Sequence, residues 1–430
     1  MKYQDALDYI KETNKLGSRF GLESITRLLD LLDNPQKDLK VIHIGGTNGK
    51  GSTSSYLNNI LVNGGYRVGL FTSPYMDKVN ESIKLNGVDI SDEDFTRIFS
   101  LIVDKIQVMK EEETGTPTTF DILTSLGFMF FKEKEIDYLI LEVGLGGRKD
   151  STNIISSPLA SVFTTIDYDH VDVLGTSIEE IALEKSGIIK DNSLVISYPQ
   201  KKSVEDILAG EAKEKNAEFY RCPLENLVIR EISSRGSVFD FSYGGNFMEA
   251  IEISMIGEYQ IYNAALALTT VLVLREKHGL QIADNMIRRG LKESKWPGRL
   301  ELIREKPAIL LDGAHNLQGT IQLKKALGLF DYRRLILCIA ILKDKDVEHM
   351  IEEIAPLADE IIVTEVDMSR KLEAEVLAME VSKYNKSVTV EKDLQRAIGA
   401  SLEKTKEGDM LVFGGSLYLI GQVRKILKSQ

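Results

Sequence analysis

The stretch VIHIGGTNGKGS, Val41 to Ser52, decides how the rest of the chain is read. An alternating apolar run (Val41, Ile42, Ile44) passes directly into Gly46, Thr47, Asn48, Gly49, Lys50, Gly51 and Ser52. Helix-compatible residues follow (Ser54, Tyr56, Leu57, Ile60, Leu61). Strand, glycine-rich turn and helix start, in that order, build a phosphate cradle. Glycines let backbone N–H groups converge on phosphate oxygens, the helix N-terminus adds a partial positive charge, and Lys50 supplies a full one. The strict nucleotide-loop spacing is not met, since Ile44 stands where its first glycine belongs and Gly51 where Ser or Thr would follow the lysine. The expected ligand is a nucleoside triphosphate; the plainer alternative is a glycine-rich turn without one.

Around that stretch lies a chain of 430 residues, long enough for two or three domains with substantial cores. Its 43% hydrophobic and 27% charged residues are the balance of a soluble globular protein. No apolar run reaches the ~20 residues that a membrane span needs. The opening MKYQDALDYIKETNK is amphipathic and charged, unlike a secretion signal. Cys222 and Cys338 are too few for a disulfide framework and lack metal-ligand spacing, so a cytoplasmic location is expected. With 53 basic against 65 acidic residues, the formal charge of -12 argues against general binding to nucleic acid or anionic membrane.

Two short amphipathic helices are expected before the phosphate loop, over 4–14 and 22–33, punctuated by Gly17, Gly21 and Asn34-Pro35. A second strand over 66–71 ends at Thr72-Ser73-Pro74-Tyr75. The polar segment 73–91, with its Asn86-Gly87 turn signal, reads as a long ordered loop or a small hairpin. Helix patterns over 92–112 and 119–134 precede a continuous apolar strand over 137–143 that delivers Glu142. An acid at the carboxyl end of such a strand, beside a phosphate loop, is where a magnesium-organising carboxylate belongs. A strand over 159–166 leads to His170 among three carboxylates, placed as a metal ligand or its support would be.

Ser177 and Glu180 form a capping box, and Ile178, Ile181, Ala182 and Lys185 then fall on one helical stripe. A lysine on a buried stripe is uncommon, because desolvating an ammonium is costly. Read from the residues alone, it snorkels off the stripe or pairs with an acid; neutral, it could add carbon dioxide and become a carbamate. A strand at 194–197, a helix at 203–215 and several short strands through Ile253 are expected to complete a first domain. A long apolar helix opens at Gly257, with Asn263 near its start, as a cap or a partner for a base edge. Lys295 to Arg299 reads as a hinge, with the only tryptophan, Trp296, packing between domains. The pattern then restarts with strands at 308–312, 334–341, 360–364, 387–391 and 409–413, so that Asp312, His315 and Ser416 face a cleft beyond strand carboxyl ends.

Together these residues resemble the folylpolyglutamate synthase/dihydrofolate synthase family of the Mur-ligase superfamily. The likeness rests on GTNGKGS (46–52), FTSP (71–74), LEVGLGGRKDSTN (141–153), DHVDVLG (169–175), EKSGIIK (184–190), GEYQIYNA (257–264), PGRLE (297–301), LDGAHN (311–316) and FGGSLYLIG (413–421), nine motifs in the family's order. It implies an α/β fold of two domains: an N-terminal P-loop mononucleotide-binding domain, 1–296, and a C-terminal Rossmann-like domain, 297–430. By the resemblance Gly46 to Ser52 hold ATP, while Ser73, Glu142, His170 and Lys185 as a carbamate match the magnesium positions, with K+ as a candidate further cation. Lys50, Glu142, His170 and Lys185 then make up the catalytic set. Asn263 matches an adenine contact, Arg299 a phosphate contact, and Asp312 and His315 the second domain's nucleotide contacts. Asp150 and Ser416 fall at substrate positions. Two departures stand out: Ser82 follows Glu81 where the family has arginine, so that its electrostatic role is either absent or taken by Lys78 or Lys84, and Asp121 replaces a glutamate.

The activity implied is ATP-dependent addition of L-glutamate in γ-linkage to tetrahydrofolate through an acyl phosphate, by a monomer, with dihydropteroate left open as a second acceptor. Closure about 295–299 would complete the site. A Mur-type ligase acting on a cell-wall precursor is the nearest rival; such enzymes carry a whole UDP-sugar-binding domain before the phosphate loop, where 45 residues precede Gly46 here. A nucleotide-binding switch without ligase chemistry is the rival of a different class.

Overall fold

Val41–Gly45 (β1) is buried at every residue rather than at alternate ones. This is the mark of a strand with parallel neighbours on both sides. The computed structural model describes residues 1–15, 21–368 and 370–428; Gly17 lies outside them. The other strands of the same sheet are β2 (Val68–Phe71), β3 (Ile83–Leu85), β4 (Val88–Asp89), β5 (Tyr138–Glu142), β6 (Ala160–Phe163), β7 (Leu194–Ser197) and β8 (Glu218–Arg221). Their order is β4-β3-β2-β5-β1-β6-β7-β8. From β2 to β8 the pairing is parallel, and β3 and β4 add an antiparallel edge. The segment 73–91 is thus the hairpin of the two alternatives, turning at Asn86 and Gly87 in the left-handed region.

The strand order reverses on either side of β1, and such a switch point opens a crevice at the strand carboxyl ends. Glu142 lies beside Ile44 in the register, and Phe163 beside Gly45. The phosphate loop, the end of β5 and the segment after β6 therefore leave the sheet together.

β9 (Leu227–Ser233), β10 (Gly236–Tyr243) and β11 (Asn246–Ile253) form a separate three-stranded sheet with β10 in the middle. The third sheet contains β12 (Glu301–Glu305), β13 (Ala308–Asp312), β14 (Leu335–Ile339), β15 (Glu360–Val363), β16 (Val388–Val390) and β17 (Met410–Gly414), in the order β12-β13-β17-β14-β15-β16. Only β12 is antiparallel to its neighbour. The chain divides into two compact units. The first comprises Met1–Val228, Asp240–Ile251 and Tyr262–Ser294; the second comprises Ile229–Phe239, Glu252–Ile261 and Lys295–Gln430.

Local chemistry accounts for the helix starts. The Ser177/Glu180 capping box is formed, and a second one, Thr118 with Asp121, opens Thr119–Glu133. The Asp121 carboxylate also accepts from the Ser151 hydroxyl at 2.6 Å, so the residue that replaces a family glutamate ties the start of its helix to the short helix Ser151–Ile154. Phe128 and Phe131 of the Asp121 helix share one core cluster with Phe71, Phe95 and Phe99. The reading of Asn263 as a helix cap is corrected: the helix runs Glu258–His278 and places it in the interior. The helix Asp284–Glu293 and the edge strand β12 are present besides the elements expected from the sequence.

Candidate active site

The phosphate loop is shaped by two glycines and stitched to the segment after β6. Gly46 has φ +136°, and a Cβ there would lie 2.0 Å from the Thr164 hydroxyl. Gly49 has φ +91°, and its Cβ would lie 2.5 Å from Asn263 Oδ1. Only glycine tolerates both the backbone and the neighbour at such positions. The second contact also shows that the helix Glu258–His278 brings Asn263 against the loop. Thr47 N–H donates to the Thr165 carbonyl at 2.7 Å, its hydroxyl donates to the Asp167 carbonyl at 3.0 Å, and the Thr165 hydroxyl donates to the Asn48 carbonyl at 3.2 Å. Thr47 and Asn48 are thereby fixed by their own peptide groups.

Lys50 opens the helix Lys50–Asn63, whose first turn carries no acid. Its Nζ donates to the carbonyls of Gly46 (3.2 Å) and Thr47 (3.1 Å), folded back over the loop. Lys185 reaches the same Gly46 carbonyl at 3.0 Å from the helix Ile178–Ser186. Only 5% of Lys185 is exposed, so the stripe is a buried one and the side chain does not snorkel to solvent. Burial, and then the nearby Lys50 charge, push its amine down to about 7, against the opposing pull of Asp169 and Asp150. Two lysine amines converge on one carbonyl oxygen, a local concentration of basic groups of the kind that a chain of net charge -12 needs to attract an anion.

Glu142 ends β5 and is buried. His170 stands at φ +50° ahead of the short helix Val171–Leu174, its Nε2 3.8 Å from Asp169 Oδ2. A left-handed histidine is an uncommon conformation that functional sites collect. Ser73 precedes Pro74 where β2 leaves the sheet. Among the described residues no three His, Cys, Asp or Glu side chains converge as a ready metal group. The expected set of Ser73, Glu142, His170 and Lys185 draws half its donors from other side chains. Glu142, a buried carboxylate one strand away from the loop, is chemically suited to a hard cation.

In the loop after Ser73, Glu81 accepts from the backbone N–H groups of Met76 (2.9 Å) and Lys78 (3.3 Å). Ser82 is buried, Lys84 pairs with Asp89, and Lys78 is exposed, so Lys78 is the cation of the two left facing solvent. Asp150 is buried, and its carboxylate accepts from Leu145 N–H (2.8 Å), Thr152 N–H (3.0 Å) and the Thr152 hydroxyl (2.5 Å).

The second unit holds its own strand–turn–helix. Asp312 closes β13, and its oxygens accept from Ala314 N–H and Leu300 N–H, both at 2.9 Å. Burial raises its carboxyl, and Arg299 opposes the rise. Burial and the Asp312 charge raise the Tyr259 hydroxyl, which therefore stays protonated. His315 Nδ1 lies 2.8 Å from the Gly313 carbonyl and must carry the proton there, since a carbonyl only accepts. Asn316 caps Leu317–Leu327. Ser416 is buried, and its hydroxyl accepts from Tyr418 N–H at 3.2 Å at the start of the helix Leu417–Lys428. Asp169, Tyr259 and the loop's Thr164 and Thr165 anchors were not singled out from sequence, because their roles depend on neighbours distant in the chain.

A phosphate loop next to a buried acid and a buried lysine, followed by a Rossmann-like unit, defines an ATP-dependent ligase of the Mur type. Residues 44–271 match the Mur ligase middle domain, and residues 298–417 match the Mur ligase, glutamate ligase domain. The dihydrofolate synthase/folylpolyglutamate synthase of Bacillus subtilis is 37% identical over 431 residues, 99% of each chain. The folylpolyglutamate synthase of Thermotoga maritima superposes with a TM-score of 0.86 at 36% identity, over 99% of this chain and 97% of that one. The Mycobacterium tuberculosis folylpolyglutamate synthase, solved with ADP, gives 0.91 at 28% identity over 99% of each. This chain belongs to the folylpolyglutamate synthase/dihydrofolate synthase family. No helix among the described residues is long and apolar enough to cross a membrane.

Proposed function

We propose that the chain joins the amine of L-glutamate to a carboxylate of a reduced folate, extending it by one γ-linked unit, with dihydropteroate as the second acceptor to be tried beside it. The observation that carries this reading is the meeting of Lys50 and Lys185 on the Gly46 carbonyl, one strand from Glu142. A carboxylate carbon resists an amine because negative charge shields it and its oxygen leaves badly. Taking the γ-phosphoryl group of ATP onto that oxygen releases ADP and leaves an acyl phosphate. The amine's electron pair then attacks the carbonyl carbon, and the tetrahedral adduct expels inorganic phosphate as the amine proton passes to solvent.

The protein contributes positioning and charge neutralisation. Gly46 to Ser52 hold the phosphates, Lys50 offsets their charge, and Asn263 flanks the nucleotide beside Gly49. Arg299, Asp312 and His315 are the second unit's proposed nucleotide contacts; Ser416, in the same unit, is the proposed residue for the incoming glutamate, and Asp150, in the first unit, the proposed acceptor residue. Ser73, Glu142, His170 and Lys185 would hold Mg2+, which when bound neutralises phosphate charge. Lys185 takes an anionic form for that role: its neutral amine adds to the carbon of CO2 and loses one proton, giving a carbamate. The protein acts as a cytoplasmic monomer on this reading.

Purified protein given ATP, Mg2+ and labelled glutamate, with tetrahydrofolate and dihydropteroate in parallel, tests the proposal by product mass. A product heavier by one glutamyl unit, with one ADP released, is expected. ADP without glutamate incorporation would instead make the chain a nucleotide switch and overturn the reading.

A further inference from the structure

The loop between Glu142 and the short helix Ser151–Ile154 is fastened more thoroughly than a surface connection needs to be. It runs against the last turn of the Lys185 helix, joined to it by backbone and side-chain donors. Arg148 N–H donates to the Glu184 carbonyl at 2.8 Å, and Asn153 Nδ2 donates to the Gly187 carbonyl at 3.1 Å. A Cβ on Gly147 would lie 2.8 Å from the Glu184 and Lys185 carbonyls and 3.0 Å from Lys185 Cα. Those are main-chain atoms, so no flexible side chain could yield; the helix end itself would have to move.

The loop's shape is held from the other side by a buried polar chain. The Thr152 hydroxyl gives its only proton to Asp150, so at its 2.9 Å contact with His43 Nε2 it can only accept. His43 is therefore the neutral Nε2–H tautomer, and burial with the nearby Lys190 charge keeps it so, pushing the imidazole down to about 3. The ring sits in the middle of β1, wholly buried, and its Nδ1 has no hydrogen-bond partner among the described residues. A buried histidine with one nitrogen unsatisfied costs stability that Leu or Val at this position would not. The hydrogen bond to Thr152 is what it provides in return.

We infer that this loop is a positioning clasp: Gly147 on the helix end and the His43–Thr152–Asp150 chain together hold Lys185 in register with Glu142. His43 and Gly147 are positioning residues, acting through Lys185 and not on substrate. The inference rests on the role given to Lys185 above.

The test compares Gly147→Ala, His43→Leu and His43→Gln with wild type. At saturating substrates the first two should lose roughly 10- to 100-fold in kcat while the Kd for ADP stays within about twofold, as displacement by an ångström predicts. His43→Gln, whose amide can donate to Thr152, should recover most of that loss. In a Lys185→Ala background Gly147→Ala should cost nothing further, because the group it positions is gone. Wild-type kcat in folded Gly147→Ala and His43→Leu overturns the clasp, as does a loss that persists undiminished without Lys185. A weakening of ADP binding that matches the loss in kcat also overturns it, since the loop would then merely support the phosphate cradle. If Gly147→Ala does not fold, the two His43 variants decide. Wild-type turnover by Lys185→Ala would be a different result: it removes the role of Lys185 itself.

Discussion

The two units each present a turn at the carboxyl end of an inner parallel strand, leading into a helix, and the two turns are chemically opposite. At Gly46–Lys50 the carbonyls of the loop face lysine amines, and no acid stands in the first helical turn. At Asp312–Asn316 a carboxylate bends back to accept from its own loop, and an asparagine caps the helix. The first is a cradle organised for something that comes from outside. The second is braced by its own carboxylate, with Tyr259 and Arg299 near that buried acid and His315 on the Gly313 carbonyl. Similar backbone topology thus says little about ligand; the side chains that satisfy the turn say which turn awaits an anion.

If the cradle is the chemical half of that contrast, the largest effect belongs to Lys185. Lys185→Ala should lose on the order of 10²- to 10³-fold in kcat, the scale of removing one preorganised electrostatic group. Bicarbonate or a short carboxylic acid should restore part of it by supplying the missing anion. Steady-state rates with and without added formate decide, and undiminished turnover would break the contrast.

Asp312 braces the second turn, so beside its proposed nucleotide contact its loss should also fall on stability. Asp312→Asn sets an amide N–H2 against the N–H groups of Leu300 or Ala314 within a buried site. The expected cost is about 1–3 kcal/mol, the usual figure for a buried donor left unsatisfied. Denaturant unfolding of the purified variant measures it, and an unchanged midpoint would mean that the turn is not braced by this carboxylate.

The contrast also has a pH signature. The Lys185 amine is lowered from 10.5 to about 7 in the folded chain, so between those values the unfolded chain holds the extra proton. Stability of the wild type relative to Lys185→Met should therefore rise with pH across that window, by about 1.4 kcal/mol per pH unit, and be flat below it. Melting curves of the two proteins in CO2-free buffer from pH 7 to 9 test the sign.

How much of this could be read beforehand differs between the two turns. The strand, the glycines and the lysine of the cradle are contiguous, so their spacing carried the phosphate-loop reading. Glu142 and Lys185 were recognisable because each breaks a local pattern: an acid ending an apolar strand, a lysine on an apolar stripe. His43 breaks a pattern too, but a histidine inside a strand reads as core until Thr152, 109 residues away, is seen to hold it. The internal hydrogen bonds of Asp150 were not legible, because nothing in the sequence shows that Leu145 and Thr152 turn their donors inward. The helix Asp284–Glu293 was passed over although its apolar residues Ile287 and Leu291 repeat at helical spacing; it lies between a long helix and a hinge-like segment that drew the reading to themselves.

The smallest effect expected lies at the edge of the second turn. Glu301 accepts from Gly298 N–H at 2.9 Å and pairs with Arg424 at 2.9 Å and Lys428 at 3.4 Å, linking the start of β12 to the C-terminal helix. The side chains are partly exposed, at 18% for Glu301 and 26% for Arg424, so solvent screens the pair. Glu301→Gln keeps the hydrogen bond from Gly298 and removes the charge, and should cost no more than about 1 kcal/mol, a value typical of exposed ion pairs. The melting temperature should fall slightly, and less so at high salt, where the wild type's pair is already weakened. A loss as large as that of Asp312→Asn would show that the turn depends on this outer pair as much as on its buried acid, and would erase the distinction between a turn braced by its own carboxylate and a merely supported one.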